Sequence, residues 1–347
     1  MIPFYSFKEI HQPIEKELIE KSSEIISSGN YVFGTSKFEE EFADYTGSKY
    51  CLGVSSGTSA LHLALESLGI GKEDEVITVS HTFRATVAAI HYCGATPVYV
   101  DIDPKTFTMD IFQIESKITE KTKCIVPVHL YGNAAPIKEI VDLAKKHNLY
   151  VVEDCSQAHG TTVDRQHVGT FGDVGTFSFY PGKGLGALGD AGCIISNNES
   201  LIKYMSGARQ WSDDTVGYNY RMSNLQAEFL RIKLKTFDDV LEEKRYIANE
   251  YNKHFKNVNI LEGVNHSYHI YPILSNDRST LMSTVKPDLD LKCHYPLPVH
   301  KLTAYKTDIN LPITEKISST QVSLPIYPGV DYKKVIEILN DNDSSIL

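Results

Sequence analysis

From residue 50 to residue 153 the sequence alternates short β-branched apolar runs with stretches whose apolar residues recur every three or four positions. Tyr50–Val54, Glu75–Val79, Thr96–Val100, Lys123–Val128 and Tyr150–Glu153 read as strands. The pattern Ala60, Leu61, Leu65, Leu68 reads as a helix, as do Ala85–Cys93 and Ile137–His147. Strands of this kind have no polar face, so both of their sides must be covered. That is the pattern of a mainly parallel sheet flanked by helices. Sheets of this class gather their ligands at the carboxyl ends of the strands.

The flanks are read with the same rules. Residues 11–29 form an amphipathic helix, with Ile14, Leu18, Ile25 and Ile26 on one stripe and Gly29 ending it. A short helix follows Thr35, with Phe38, Phe42 and Tyr45 on one face. Near 170–196 the alternation stops. Thr176–Phe179 and Cys193–Ser196 read as strands joined by a Gly-rich connection, which favours local antiparallel pairing. From Ser223 to about Asn257 there is almost no Gly or Pro, and one long helix is expected. Tyr268–Leu274 and Leu291–Tyr295 read as strands, and a helix is expected around Lys334–Asn340. A chain of 347 residues suggests about two domains. The boundary is expected inside the long helix: 11–235 as a large α/β domain and 236–347 as a smaller C-terminal α+β domain, with residues 1–10 packing against the latter.

Charge narrows the partners. Lys and Arg number 34 against 44 Asp and Glu, a net −10, which argues against nucleic-acid binding. A few local donors can still hold a small anion against that field. No apolar run approaches the length of a membrane span, and the opening residues lack the basic and apolar regions of a signal peptide. A cytoplasmic protein without membrane contact is expected. The six cysteines are single and sit mostly in apolar stretches, so reduced core thiols are expected and no disulfide framework. His294 and His300 lie six residues apart in a Pro-containing stretch, which is not a ligand spacing, and no metal is expected.

Three strand ends carry the candidate chemistry. Ser55-Ser56-Gly57-Thr58-Ser59 opens a helix and offers free N–H groups and hydroxyls to a phosphate; alone, it is equally an ordinary helix cap. Asp154 ends the buried run Val151-Val152-Glu153 and faces the ligand crevice, or else caps the next helix. Ser178 ends a third strand, and Lys183 follows it on the loop Tyr180-Pro181-Gly182-Lys183-Gly184. The spacing is wrong for a nucleotide P-loop, because Phe177 and Gly184 stand where Gly and Ser or Thr are needed. A poorly hydrated lysine on such a loop can be a nucleophilic amine, whereas a solvated loop lysine has no such role. Together, a phosphate cradle, a carboxylate and an amine at neighbouring strand ends meet the needs of pyridoxal 5′-phosphate.

At this point the chain resembles a known family. SSGTSALHLAL, HTFRATVAAI, GATPVYVDID, VPVHLYG, VVEDCSQAHG, GDVGTFSFYPGKGLGALGDAG, GYNYRMSNLQA, HYPLPVH and SLPIYPG are similar to stretches of the DegT/DnrJ/EryC1/StrS sugar-nucleotide aminotransferases. The likeness runs from about residue 3 to residue 330. It implies the pyridoxal-phosphate-dependent transferase fold (fold type I), with a large, mainly parallel seven-stranded sheet between helix layers. It also implies that Lys183 is the catalytic amine that binds the cofactor aldehyde and then moves the proton, and that Asp154 pairs with the pyridinium nitrogen. Ser178, Gly57 and Thr58 would hold the phosphate, Phe83 would stack on the ring, and Gln157 would lie on its other side. Asn219 would reach the cofactor phosphate of a neighbouring subunit, so that a homodimer completes each site.

The same resemblance implies the reaction. Members that remove a hydroxyl carry His where Lys183 stands, so Lys183 favours amino transfer. The expected substrates are L-glutamate and a nucleotide-linked keto-6-deoxyhexose, and the expected product is an amino sugar for a surface polysaccharide, glycan or glycosylated natural product. HYPLPVH is similar to enzymes acting at C-3 of dTDP-3-keto-6-deoxyhexoses, whereas GYNYRMSN is similar to some C-4 enzymes. The reading leans to C-3, with a C-4 aminotransferase, a dehydratase or a non-catalytic cofactor-binding regulator as rivals. Arg84 stands where relatives carry an apolar residue and is a candidate contact for an anionic substrate; His300 is a second candidate contact. Lys301-Leu302-Thr303 departs from the family pattern, and the loops 209–217 and 276–291 look short.

Overall fold

The computed structural model describes residues 1–213 and 215–342. Seven strands form one sheet: β1 Tyr50–Val54, β2 Glu75–Val79, β3 Thr96–Val100, β4 Thr122–Ile125, β5 Tyr150–Asp154, β6 Val174–Ser178 and β7 Gly192–Ser196. Their order is β1-β7-β6-β5-β4-β2-β3. Only β7 runs against the rest, antiparallel to β1 and β6, while the other neighbours are parallel. The expected α/β architecture and its local antiparallel pair are both present.

Strand periodicity divides the core between the two faces. Ile77, Val151 and Ile195 enter one apolar cluster, with Phe38 and Phe42 from the helix Ser36–Thr46 and Ile137 and Ile140 from the helix Ile137–His147. Val76, Val152 and Ile194, each one residue away, enter another with Leu61 and Leu65 of the helix Gly57–Ser67 and Ile90 of the helix Ala85–Tyr92. Each such side chain contributes about 1.5–3 kcal/mol on burial, which fixes the strand register and hence the level at which the strand ends present their side chains.

Several elements differ from expectation. Pro13 divides the first helix into Phe7–His11, a single 3₁₀ turn and Glu15–Ser28. The long helix is two, Asn224–Leu234 and Phe237–Tyr251, broken at Lys235–Thr236. The break lets Phe237 and Leu241 join the sheet core, while Ile247, Ala248 and Tyr251 join a third cluster built with residues 268–339. Helices Glu199–Ala208, Arg278–Val285 and Pro312–Thr320 were not expected, nor was the strand Gln321–Leu324 that pairs with Tyr271–Leu274. Leu291–Tyr295 is not a strand: a single bridge joins Lys292 to Ser323, and Tyr295 then turns to φ 62°, which ends extended pairing. Ile2 bridges to Leu289, so the N-terminal residues cross to the C-terminal part of the chain. Among the described residues no helix is long and apolar enough to cross a membrane.

Candidate active site

The carboxyl ends of β1, β5 and β6, and the turns after β2 and β4, surround a cavity of about 500 Å³. Gly57, Thr58, Phe83, Asp154, Gln157, Ser178 and Lys183 all line it. The sheet order explains why: β5 and β6 are adjacent, and β1 reaches them across β7.

At one end of the cavity lies the start of the helix Gly57–Ser67. Ser56 and Ser59 form a reciprocal cap, the Ser59 amide donating to Ser56 Oγ at 3.1 Å and the Ser56 amide to Ser59 Oγ at 2.9 Å. Those hydroxyls therefore serve the helix, and the Gly57 and Thr58 amides face the cavity as first-turn donors. Gly57 is required by contact: a Cβ there would lie 2.7 Å from Ser178 Cβ and 3.2 Å from Ser156 Oγ. Its absence lets the helix end close on Ser178, whose Oγ already accepts from the Tyr180 amide at 3.4 Å and keeps its proton to donate. The result is a donor-lined end of the cavity, of the kind that holds a phosphate.

Asp154, 4% exposed, is oriented by two donors: Thr86 Oγ1 at 2.8 Å on one carboxylate oxygen and the Ser156 amide at 3.1 Å on the other. Lys183 is half-buried on the loop beyond β6. Burial pulls its ammonium down to about 8, against the charge of Asp154, which raises it. About a tenth of a lysine so placed is neutral and nucleophilic at pH 7, against well under a thousandth for an ordinary one. Gln157 is held at both ends of its amide: Oε1 accepts from the Tyr131 amide at 2.8 Å, and Nε2 donates to Tyr295 Oη at 2.5 Å. Phe83 stands half exposed at the mouth, its ring 6.5 Å from that of Tyr295.

Tyr295 escaped the sequence reading, as did the cavity-lining Thr82, Thr86, Ser156, Tyr180 and Asp190. Its ring lies nearly parallel to Tyr131 at 6.4 Å. Burial and the nearby Asp154 charge raise its phenol well above the usual range, so it stays protonated. The HYPLPVH segment carried the signal, but attention fell on its histidines.

The remaining candidates lie elsewhere. His300 is fully buried outside the cavity: Ser80 Oγ meets Nδ1 at 2.7 Å and Glu315 Oε1 meets Nε2 at 3.2 Å, so both ring nitrogens have protein partners. Arg84 is exposed and lies with its guanidinium 5.8 Å from the Phe83 ring centroid, outside the cavity lining. Asn219 is exposed and does not line its own chain's cavity. Its neighbours Tyr218 and Tyr220 stack at 4.9 Å and turn inward onto His62, and the Ser55 amide donates to the Tyr220 carbonyl at 2.6 Å. Asn219 is thereby exposed on a segment tied to the residue before Ser56 and Gly57.

One buried group beside the site has metal-ligand chemistry: His129, Glu153 and Cys155. Its hydrogen bonds account for the polar atoms of His129 and Glu153. The Ala135 amide donates to His129 Nδ1 at 3.1 Å, so Nε2 carries the proton and donates to Glu153 at 3.0 Å. Glu153 also accepts from the amides of Gly169, Phe171 and Gly172 at 2.7–2.9 Å. This set ties two loops, 126–136 and 168–173, to β5 at the residue before Asp154.

The chain matches the model of the DegT/DnrJ/EryC1/StrS aminotransferase family over residues 12–341. It is 39% identical to a dTDP-3-amino-3,6-dideoxy-α-D-galactopyranose transaminase of Aneurinibacillus thermoaerophilus, with 98% of this chain and 99% of that one covered. Its structure superposes with a TM-score of 0.95 on S. venezuelae DesV in complex with a ketimine intermediate, at 33% identity and 98% coverage of both chains. It superposes at 0.86 on NtdA of Bacillus subtilis with bound cofactor PMP, at 29% identity, covering 96% of this chain and 81% of that one. The chain belongs to the DegT/DnrJ/EryC1/StrS family of pyridoxal-phosphate-dependent sugar aminotransferases.

Proposed function

We propose that this enzyme binds pyridoxal 5′-phosphate in the cavity and moves an amino group from L-glutamate to C-3 of a dTDP-linked 3-keto-6-deoxyhexose. The observation that carries the reading is the convergence on one cavity of a donor cradle, a buried carboxylate and a lysine whose ammonium is pulled down to about 8. The cradle suits the phosphate because a Cβ at Gly57 would fill it and because its donors carry no competing charge. When bound, the cofactor supplies an aldehyde and an electron-accepting ring.

The residues divide the work. The Gly57 and Thr58 amides and the Ser178 hydroxyl bind the phosphate. Asp154, oriented by Thr86 and Ser156, would pair with the ring nitrogen and favour its protonated form. Lys183 would hold the aldehyde carbon and, once released by the amino donor, would take the proton from the donor's Cα and deliver it two atoms along, to the former aldehyde carbon. Phe83 covers one ring face, and Gln157, locked between Tyr131 and Tyr295, borders the other. Asn219 of the partner subunit adds a donor to the phosphate, so the working unit is a homodimer. Arg84, held over Phe83 at the mouth, meets an anionic part of the nucleotide sugar.

The C-3 position rests on the HYPLPVH segment and on the 39% identity to the dTDP-3-amino-sugar transaminase. It is tested by supplying L-glutamate with the 3-keto and 4-keto dTDP-6-deoxyhexoses in turn and locating the new amine by NMR. Amination of the 3-keto sugar alone is expected; amination of the 4-keto sugar alone would replace this reading with the C-4 one.

A further inference from the structure

Lys183 stands on a glycine-rich loop whose far side is anchored: Leu185 and Ala187 are fully buried in the sheet core, and the Leu188 amide donates to Gln226 Oε1 at 2.8 Å. Glycines occupy positions 182, 184 and 186, and a Cβ at 182 or 184 would meet only ordinary contacts at 3.6 Å or more. The glycines themselves impose no conformation on the stretch that carries Lys183, so its shape depends on the contacts made around them. The loop closes on itself at two points: the Lys183 amide donates to the Tyr180 carbonyl at 2.8 Å, and the Ala187 amide to the Phe179 carbonyl at 2.8 Å. At the closure Gly186 packs so tightly that a Cβ would lie 2.2 Å from the Pro181 carbonyl oxygen.

The carbonyl of this same Gly186 accepts a hydrogen bond from the Lys233 ammonium, which comes from the helix Asn224–Leu234. Lys233 is 7% exposed and has no carboxylate within ion-pair distance among the described residues. Its other partner is Nε2 of His11, 3.2 Å away, at the end of the helix Phe7–His11. Burial, and after it the Lys233 charge, hold the His11 imidazolium down to about 4, so the ring is neutral and accepts. A buried ammonium with only neutral acceptors is expensive to keep. Violations of that kind concentrate where a group serves the site.

We propose that Lys233 is a positioning residue for Lys183: its ammonium clamps the Gly186 carbonyl and so fixes the loop that carries the reacting amine, with His11 seating the clamp. The inference rests on Lys183 being that amine. Removing the clamp leaves the fold and the phosphate cradle in place but lets the loop drift. A displacement near 1 Å at a reacting group costs on the order of 10²-fold in rate.

The test uses the full-length, cofactor-loaded protein with Lys233→Met and Lys233→Arg. Three changes are expected in Lys233→Met. The rate constant of the glutamate half-reaction falls roughly 10- to 100-fold. The KM for the nucleotide sugar changes less than about threefold, because that subsite keeps its contacts. The pH midpoint of the visible absorption change moves upward, because a looser loop admits water that favours the protonated form. Lys233→Arg should recover part of the rate by supplying a donor to the same carbonyl. If Lys233→Met does not fold, His11→Leu should give a smaller loss and a midpoint shift of the same sign. A folded Lys233→Met with wild-type rate and midpoint overturns the inference. So does an equal rate loss in both Lys233 variants with the midpoint unmoved, which would mark a purely structural role. Lys183→Ala separates the two levels: if it retains transfer, the underlying reading fails, and if it is dead while Lys233→Met is normal, only the clamp fails.

Discussion

Substituting Gly57 by Ala adds a single methyl group at the point where the helix Gly57–Ser67 meets Ser178. The new Cβ would lie 2.7 Å from Ser178 Cβ and 3.2 Å from both Ser178 Cα and Ser156 Oγ. Ser156 Oγ can rotate aside, but Ser178 Cβ and Cα move only with the backbone, so the helix start and the end of β6 must separate by several tenths of an ångström. Gly57 does not have positive φ, so the backbone itself accepts Ala, and the reduced freedom of the unfolded chain returns about 0.4–1 kcal/mol. Overpacking of a tight contact costs about 1–3 kcal/mol, and here it falls on the cradle that the cofactor phosphate needs. The expected result is a cofactor Kd raised roughly 5- to 150-fold, since each 1.4 kcal/mol is about tenfold. The same overpacking, net of that entropy, should lower the thermal unfolding temperature of the cofactor-free protein by a few degrees at most. Fluorescence titration with pyridoxal phosphate measures the first quantity and circular dichroism the second. Gly71→Ala is the control, because a Cβ at Gly71 meets nothing within 4 Å. Cofactor affinity within twofold of wild type in Gly57→Ala would refute the assignment of the phosphate to this helix end.

Other perturbations test other parts of the account. Glu153→Gln places an amide nitrogen against four donors that now share a carboxylate, and should cost about 3–5 kcal/mol of stability in urea unfolding; an unchanged midpoint would mean the set is not structural. Asp154→Asn should lower turnover about 10²-fold or more while cofactor is still bound, read by steady-state kinetics beside the absorption spectrum. Lys244 is 4% exposed, and burial pulls its ammonium down to about 7 from 10.5. Between those values the unfolded chain binds the extra proton, so this residue makes stability rise with pH. Lys244→Met should therefore be more stable than wild type below about pH 7, with the advantage shrinking toward pH 10.5; unfolding curves at pH 6 and pH 10 check the sign.

The sequence revealed the parts of the site that are local. Each strand end brings its own signature within a few residues: Gly57 and Thr58 after β1, Asp154 at the tip of β5, Ser178 and Lys183 at and beyond β6. Buried strands make such short patterns readable because their two-residue period leaves little choice of register. Tyr295 was missed for the opposite reason. It reaches Gln157 across 138 residues of sequence and does so in a left-handed backbone conformation that no local propensity announces. His300 lies outside the cavity, its ring held by Ser80, 220 residues away, and by Glu315 of the helix Pro312–Thr320, contacts that no local pattern announces. The helix break at Lys235–Thr236 carries neither Gly nor Pro; it is set by Phe237 and Tyr251 entering different cores.

The central claim is that Lys183 is the amine that carries the cofactor and gives it up to the amino donor. Borohydride reduction of the purified, yellow protein, followed by peptide mass spectrometry, tests it directly. Without donor, the pyridoxyl label should map to Lys183; after prior incubation with L-glutamate, the yellow band should bleach and the label on Lys183 should disappear. A label on another lysine, or a Lys183 label indifferent to glutamate, would contradict the account.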